Sequence, residues 1–119
     1  MAAGTYNFTI EQGATFTRTF KYKQSDGTPF DLTEYSARMD IRTSIGGDLL
    51  ASTSTGTITL TVGGTNGEID LTITPSVSST FTFDTAVYDL EIFTSGNTIV
   101  NRLLSGKIKL SKEITTSTT

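Results

Sequence analysis

Apolar and polar residues alternate with a period of two along most of the chain, the pattern of half-buried strands. Over residues 5–10, Tyr6, Phe8 and Ile10 share a face before Glu11, Gln12 and Gly13 break the run. Over residues 14–23, Ala14, Phe16, Phe20 and Tyr22 share one face, and Thr15, Thr17, Thr19, Lys21 and Lys23 take the other. Residues 35–42 place Tyr35, Ala37, Met39 and Ile41 inward, with Ser36, Arg38, Asp40 and Arg42 outward. Two further runs fold about a glycine-rich turn at residues 63–67: Ile58, Leu60 and Val62, then Ile69, Leu71 and Ile73. Residues 86–93 put Ala86, Tyr88, Leu90 and Ile92 inside, with Val87 and Phe93 on the outer face. A last strand covers residues 98–111, and its phase shift near Leu103, Leu104 and Gly106 predicts a β-bulge.

The interruptions carry turn chemistry. Asp26-Gly27 is a turn signal, and Pro29 bars a regular central strand. Gly46-Gly47 marks a turn followed by a short irregular strand. Thr74 as cap and Pro75 at the first helical position predict a helical turn that bridges one sheet to the other. No segment has helical periodicity beyond about two turns. About seven strands, with turns every ~8–12 residues, predict an all-β antiparallel β-sandwich, with a barrel as the second choice. The expected organisation is one domain over residues 6–111, with an N-terminal arm at 1–5 and a polar tail at 112–119.

Composition sharpens this picture. The chain has 119 residues, enough for one domain, and a hydrophobic fraction of 35 %, enough for one thin core. Its 25 threonines and 12 serines favour pleated strands that stay soluble on their outer faces. The net charge of −3 argues against nucleic acid as a partner. Cysteine and histidine are both absent, which excludes disulfides, thiolate sites and the commonest general base and metal ligand. The first residues have neither the basic nor the apolar segment of a secretion signal, and no apolar run approaches a membrane span. The expectation is a soluble protein made inside the cell, with no membrane partner.

Candidate chemistry is sparse. Asp89 and Glu91 lie side by side on one strand face, the plain pattern of a solvated surface rather than of two carboxyls facing across a cleft. Residues 25–31 lack the acids of a calcium loop, and the 63–67 glycines lack the lysine and helix of a phosphate loop. No catalytic, cofactor-binding or metal-binding residue is assigned, and no cofactor is expected. Four residues stand out as candidate interface positions. Strict alternation places Arg18 among Phe16 and Phe20, and Arg102 between Val100 and Leu104. A buried lone guanidinium is very costly, so each must pair with an acid, reach a rim, or meet another subunit. Val87 and Phe93 are apolar positions on an outer face, suited to a protein contact.

Residues 8–42, "FTIEQGATFTRTFKYKQSDGTPFDLTEYSARMDIR", followed by "GEIDLTIT", "AVYDLEIF" and "NRLLSGKIKLS", resemble a recurring module of small tailed-bacteriophage virion proteins. The resemblance covers about residues 8–111 and lies in spacing, not in a catalytic signature. It is similar to the domain that begins some upper-baseplate proteins. The glycine that usually precedes the tyrosine strand is missing from "FDTAVYDL". The resemblance implies an immunoglobulin-like sandwich and a non-enzymatic structural protein of the tail, baseplate or neck, or a capsid decoration. It would be assembled in the host cytoplasm and carried on the virion. Implied partners are other virion proteins, as a homo-oligomer or in many copies per particle. Exposed strand edges at residues 6–10 and 99–110, the threonine faces and the two polar arms are the expected contacts. The alternative is a carbohydrate-binding or host-adhesion module, which requires exposed aromatic side chains.

Overall fold

The computed structural model describes residues 4–112 and Ile114. Nine strands form among them: β1 (Gly4–Thr5), β2 (Phe8–Glu11), β3 (Phe16–Lys21), β4 (Ser36–Arg42), β5 (Leu49–Ser52), β6 (Thr59–Val62), β7 (Glu68–Ile73), β8 (Thr85–Phe93) and β9 (Val100–Ser111). One short helix, α1 (Pro75–Ser78), joins β7 to β8. The strands make two sheets. One runs β1-β9-β8-β4-β5, with β2 also on β9; the other runs β3-β7-β6. The two sheets pack face to face, so the architecture is an all-β sandwich.

The period-two pattern explains the core. Met39 and Ile41 of β4, Ile69, Leu71 and Ile73 of β7, Leu90 and Ile92 of β8, and Ile108 of β9 are buried between the sheets. Each such side chain contributes about 1.5–3 kcal/mol relative to exposure. Leu32, in the β3–β4 connection, and Phe81, after α1, seal the sandwich. The β6–β7 turn closes through a Gly63 N–H to Glu68 carbonyl bond of 2.7 Å. Gly67 there has φ +68°, a conformation that side chains disfavour.

The helical turn forms with Pro75 at its start, and Thr74 takes the cap position in extended conformation, but its side chain makes no capping bond and lies 3.1 Å from the Ser76 hydroxyl instead. It is tied to the β2–β3 turn rather than left over solvent. Buried Ser78 donates to the Ala14 carbonyl at 2.8 Å and accepts the Gly13 N–H at 3.1 Å. Gln12 Nε2 donates to the Phe81 carbonyl at 2.7 Å.

The N-terminal strand corrects three expectations. It pairs with β9 in parallel, so the sandwich is not wholly antiparallel. It begins inside the segment expected to be an arm, since Gly4 and Thr5 pair with Leu104 and Ser105. It also covers one side of β9 from Leu104 to Ser111, while β8 covers the other. The long last strand is therefore interior over that length, not an exposed edge; the sheet edges are β1/β2, β5, β3 and β6. Met1 to Ala3 and most of the 112–119 tail lie outside the described residues.

Between β1 and β2 the strand pairing with β9 lapses at Tyr6 and Asn7, although the Tyr6 N–H still donates to the Ser105 carbonyl at 3.0 Å. The Asn7 side-chain oxygen accepts the Lys107 N–H at 2.8 Å in place of a ladder bond. The Tyr6 carbonyl accepts instead from the Tyr88 hydroxyl at 2.5 Å. Tyr88 is paired with Gly106, and its phenol reaches past that residue to the N-terminal strand. A Cβ on Gly106 would collide with the Tyr6 carbonyl, so the close approach requires glycine. Burial, followed by the neighbouring Tyr6, holds the Tyr88 phenol well above its usual pKa.

Gly106→Ala is expected to release the N-terminal strand while the two sheets persist: amide exchange at residues 8–11 should accelerate selectively. Ser78→Ala is expected to lower the unfolding free energy by about 1–3 kcal/mol, because it strands the Gly13 N–H and the Ala14 carbonyl. A reduced urea midpoint at an unchanged slope checks this.

Candidate functional site

The two outer faces differ sharply. On the small sheet, residues Thr17, Thr72 and Thr59 form one cross-strand row, and Thr19, Asp70 and Thr61 the next. Thr19 Oγ1 donates to Asp70 at 2.7 Å. Five of these six side chains are β-branched and solvent-compatible, and Asp70 is the one acid among them.

The outer face of the large sheet is charged along most of its length, with Val87 set between Arg42 and Lys107, and apolar at the Phe93–Val100 end. Register sets this arrangement. β4 and β8 pair Arg38 with Glu91, Asp40 with Asp89, and Arg42 with Val87, while Ser36 meets Phe93. β8 and β9 pair Val87 with Lys107, Glu91 with Arg102, and Phe93 with Val100. Arg38 Nε lies 2.8 Å from Glu91 Oε1, and its guanidinium sits 4.5 Å from the Phe93 ring centre. Arg42 Nη2 lies 3.2 Å from Asp40 Oδ2 and Nη1 donates to the Gly47 carbonyl at 3.1 Å. Arg102 Nε lies 3.5 Å from Asp89 Oδ2. Buried Ser52 donates to Asp40 Oδ1 at 2.5 Å. Exposed pairs of this kind contribute about 0–1 kcal/mol each, so they shape the surface more than they stabilise the fold.

Asp40 and Asp89 stand directly opposite each other, which is unfavourable for like charges. The Asp89 carboxyl is accordingly held above the usual carboxylate range. Partial burial is the main cause; Glu91 and Asp40 add to it, and Arg102 and Arg38 oppose it. Above this face lies a groove of about 400 Å³. Val87, Tyr88 and Asp89 form its floor. Arg102, Ser105 and Gly106 bound one side, and Ser44, Ile45 and Gly46 of the β4–β5 loop bound the other. Each groove carboxylate is engaged by a guanidinium, so the arrangement presents shape, paired charge and one aliphatic floor residue.

Three of the four singled-out residues meet on this face. Val87 and Phe93 face outward as alternation predicts, both half-buried, with Phe93 covered by Arg38. Arg102 does not break an inward apolar row. The bulge predicted near Leu103 shifts the phase, so Leu90 pairs with Leu104 and Glu91 with Arg102, leaving Leu103 as the extra residue. Arg102 and Val100 therefore point outward. Arg18 is elsewhere: it lies on β3 opposite the buried Leu71, on the core-facing side. Because β3 is a sheet edge, its side chain reaches the exposed rim, 5.3 Å from the Phe16 ring centre. The residues missed by sequence reasoning are Arg38, Asp40 and Arg42, whose outward phase was visible but whose partners depend on register, and Ile45, a lone apolar residue in a glycine turn.

All eleven aromatic residues are buried or half-buried, so the carbohydrate-binding reading has no fully exposed aromatic platform to use. Among the described residues, no group of three or more carboxylates is placed to hold a metal ion, and no helix is long and apolar enough to cross a membrane.

Asp89→Asn is expected to raise thermal stability at neutral pH. A carboxyl whose folded pKa exceeds its unfolded value of about 3.9 destabilises the fold when ionised, and that cost fades as pH falls through the raised value. Melting curves of Asp89→Asn and the parent protein should therefore converge below pH 3.9 and separate above it, with the variant the more stable.

No protein-family model matches the chain, and no curated protein matches it.

Proposed function

We propose that the chain is a non-enzymatic structural protein of a tailed-bacteriophage virion, working through protein–protein contacts. In this reading it belongs to the tail, baseplate or neck, or decorates the capsid. Other virion proteins are its partners, it is present in many copies, and it acts without nucleic acid, membrane or cofactor. The sequence resemblance over residues 8–111 supports the virion assignment. The observation that carries the contact role is the outer face of the large sheet. There, paired charges lie among the half-buried Val87 and the exposed Leu49 and Val100, with exposed Ile45 and Ile99 in the adjoining turns. Protein interfaces combine apolar patches, arginine and a polar rim in this way. The free edges β5 and β6 offer backbone groups for strand addition as well.

Mass spectrometry and immunogold labelling of particles from the phage that encodes the chain test this reading. The expected result is a fixed multi-copy stoichiometry and label at one place on the particle. Abundant protein in the infected-cell lysate with none in purified particles would overturn it.

A further inference from the structure

A sheet edge carries unpaired backbone groups, and register identifies them on β6. The Gly63 N–H bonds the Glu68 carbonyl at 2.7 Å. Bonded and non-bonded pairs alternate along an antiparallel ladder, so Thr61 with Asp70 and Thr59 with Thr72 are the next bonded pairs. The Tyr22 N–H to Gly67 carbonyl bond of 2.8 Å fixes the complementary phase on the β3 side of β7, and the two ladders agree. Leu60 and Val62 therefore direct their N–H and carbonyl groups away from β7, the only strand with which β6 pairs. Their side chains stand opposite buried Leu71 and Ile69 on the core side, yet both are only half-buried.

This edge lacks the devices that deter strand pairing, such as charge, proline or a bulge. Neither a charged residue nor a proline occurs between Asp48 and Glu68, and the β6–β7 register runs without a shift. The other edges are guarded. β3 carries Arg18 and Lys21, and the N-terminal strand carries Glu11 and lapses at Tyr6 and Asn7. β5 follows Asp48 and shifts register against β4. β5 also lies beside only the Asp40–Arg42 half of β4. β6 instead runs from Ile58, whose N–H bonds the Ser52 carbonyl at the end of β5, to Gly64, whose carbonyl bonds the Leu32 N–H ahead of β4. The two strands thus follow one another along the sandwich.

Outward backbone groups select an extended strand as occupant, and β6 itself fits. A two-fold axis normal to the small sheet, between the Thr61 residues of two copies, sets Leu60 of each opposite Val62 of the other. Each N–H of these residues then meets a carbonyl, giving four bonds that leave none of the outward groups unpaired. Thr61 meets Thr61 in a non-hydrogen-bonded pair, a favourable cross-strand match. Leu60 and Val62 cover each other at the seam. No like charges are brought together, because the nearest, the two Asp70 carboxylates, stand three strand spacings apart, about 14 Å. The contact is isologous, so it closes at two copies and does not propagate.

We infer that β6 is a homodimer edge, through which two copies join their small sheets into one six-stranded antiparallel sheet. This names the partner of one free edge and does not depend on the virion reading. A chain absent from particles would still pair in this way, and a particle component that stays monomeric would refute only the dimer.

The chain lacks cysteine, so single cysteines report the register. Thr61→Cys should cross-link to itself on mild oxidation, because a non-hydrogen-bonded pair sets its Cα atoms about 4.5 Å apart, within disulfide reach. Thr59→Cys, four residues out of register with its own copy, should not, nor should Thr17→Cys on β3. Val62→Pro removes an N–H that β7 does not use, and with it two of the four bonds across the axis. In sedimentation over a concentration series it should weaken the dimer by roughly ten- to a hundredfold. Thr61→Lys sets two cations against each other at the axis and should weaken the dimer as well, with the circular dichroism of the parent. Thr17→Lys should leave the dimer intact. A monomer at every concentration, which would leave this edge to a strand of another protein, would overturn the inference. So would a dimer unchanged by both Val62→Pro and Thr61→Lys, or Thr59→Cys cross-linking as readily as Thr61→Cys.

Discussion

Alternation along a strand is unforgiving, since a slip of one residue exchanges the two faces. The longest strand contains such a slip by design. With Leu103 as the extra residue, Leu103 and Leu104 both pack against the core, and Ile108 and Leu110 stay in phase with it. Upstream of the bulge the phase is reversed, so Arg102 and Val100 turn outward. Without that one residue, a guanidinium would be driven between the sheets, a costly arrangement. The charged layer, the groove wall and the apolar end at Phe93 all follow from the phase set there.

The bulge is matched by a second accommodation three residues on. Gly106 lets the N-terminal strand approach, lets Tyr88 reach the Tyr6 carbonyl, and leaves Asn7 to restore the missing ladder bond. Parallel addition of this strand protects β9, which would otherwise be a long exposed edge. The large sheet thus ends in short edges, and its broad outer face becomes its main available surface.

That face and the threonine face solve solubility differently. The threonine rows on β3, β7 and β6 carry one acid, Asp70, among six side chains. The large sheet instead sets opposite charges side by side across β4, β8 and β9, with two carboxylates opposed at its centre. Such a layer is weakly stabilising within one chain, because exposed ion pairs contribute little each.

The strands, their inward faces, the helical turn at Pro75, the glycine turns and the bulge near Leu103 were legible in the order of residues, because each depends on neighbours two to four positions away. So was the outward phase of Val87 and Phe93. Which strand lies beside which was not. The parallel seat of the N-terminal strand on β9, the opposition of Asp40 to Asp89, the exposure of Arg18 at a sheet edge and the groove beneath Ile45 join residues dozens of positions apart. Local alternation specifies a side chain's face but not its cross-strand partner; only the packing of two sheets around one shared core decides that register.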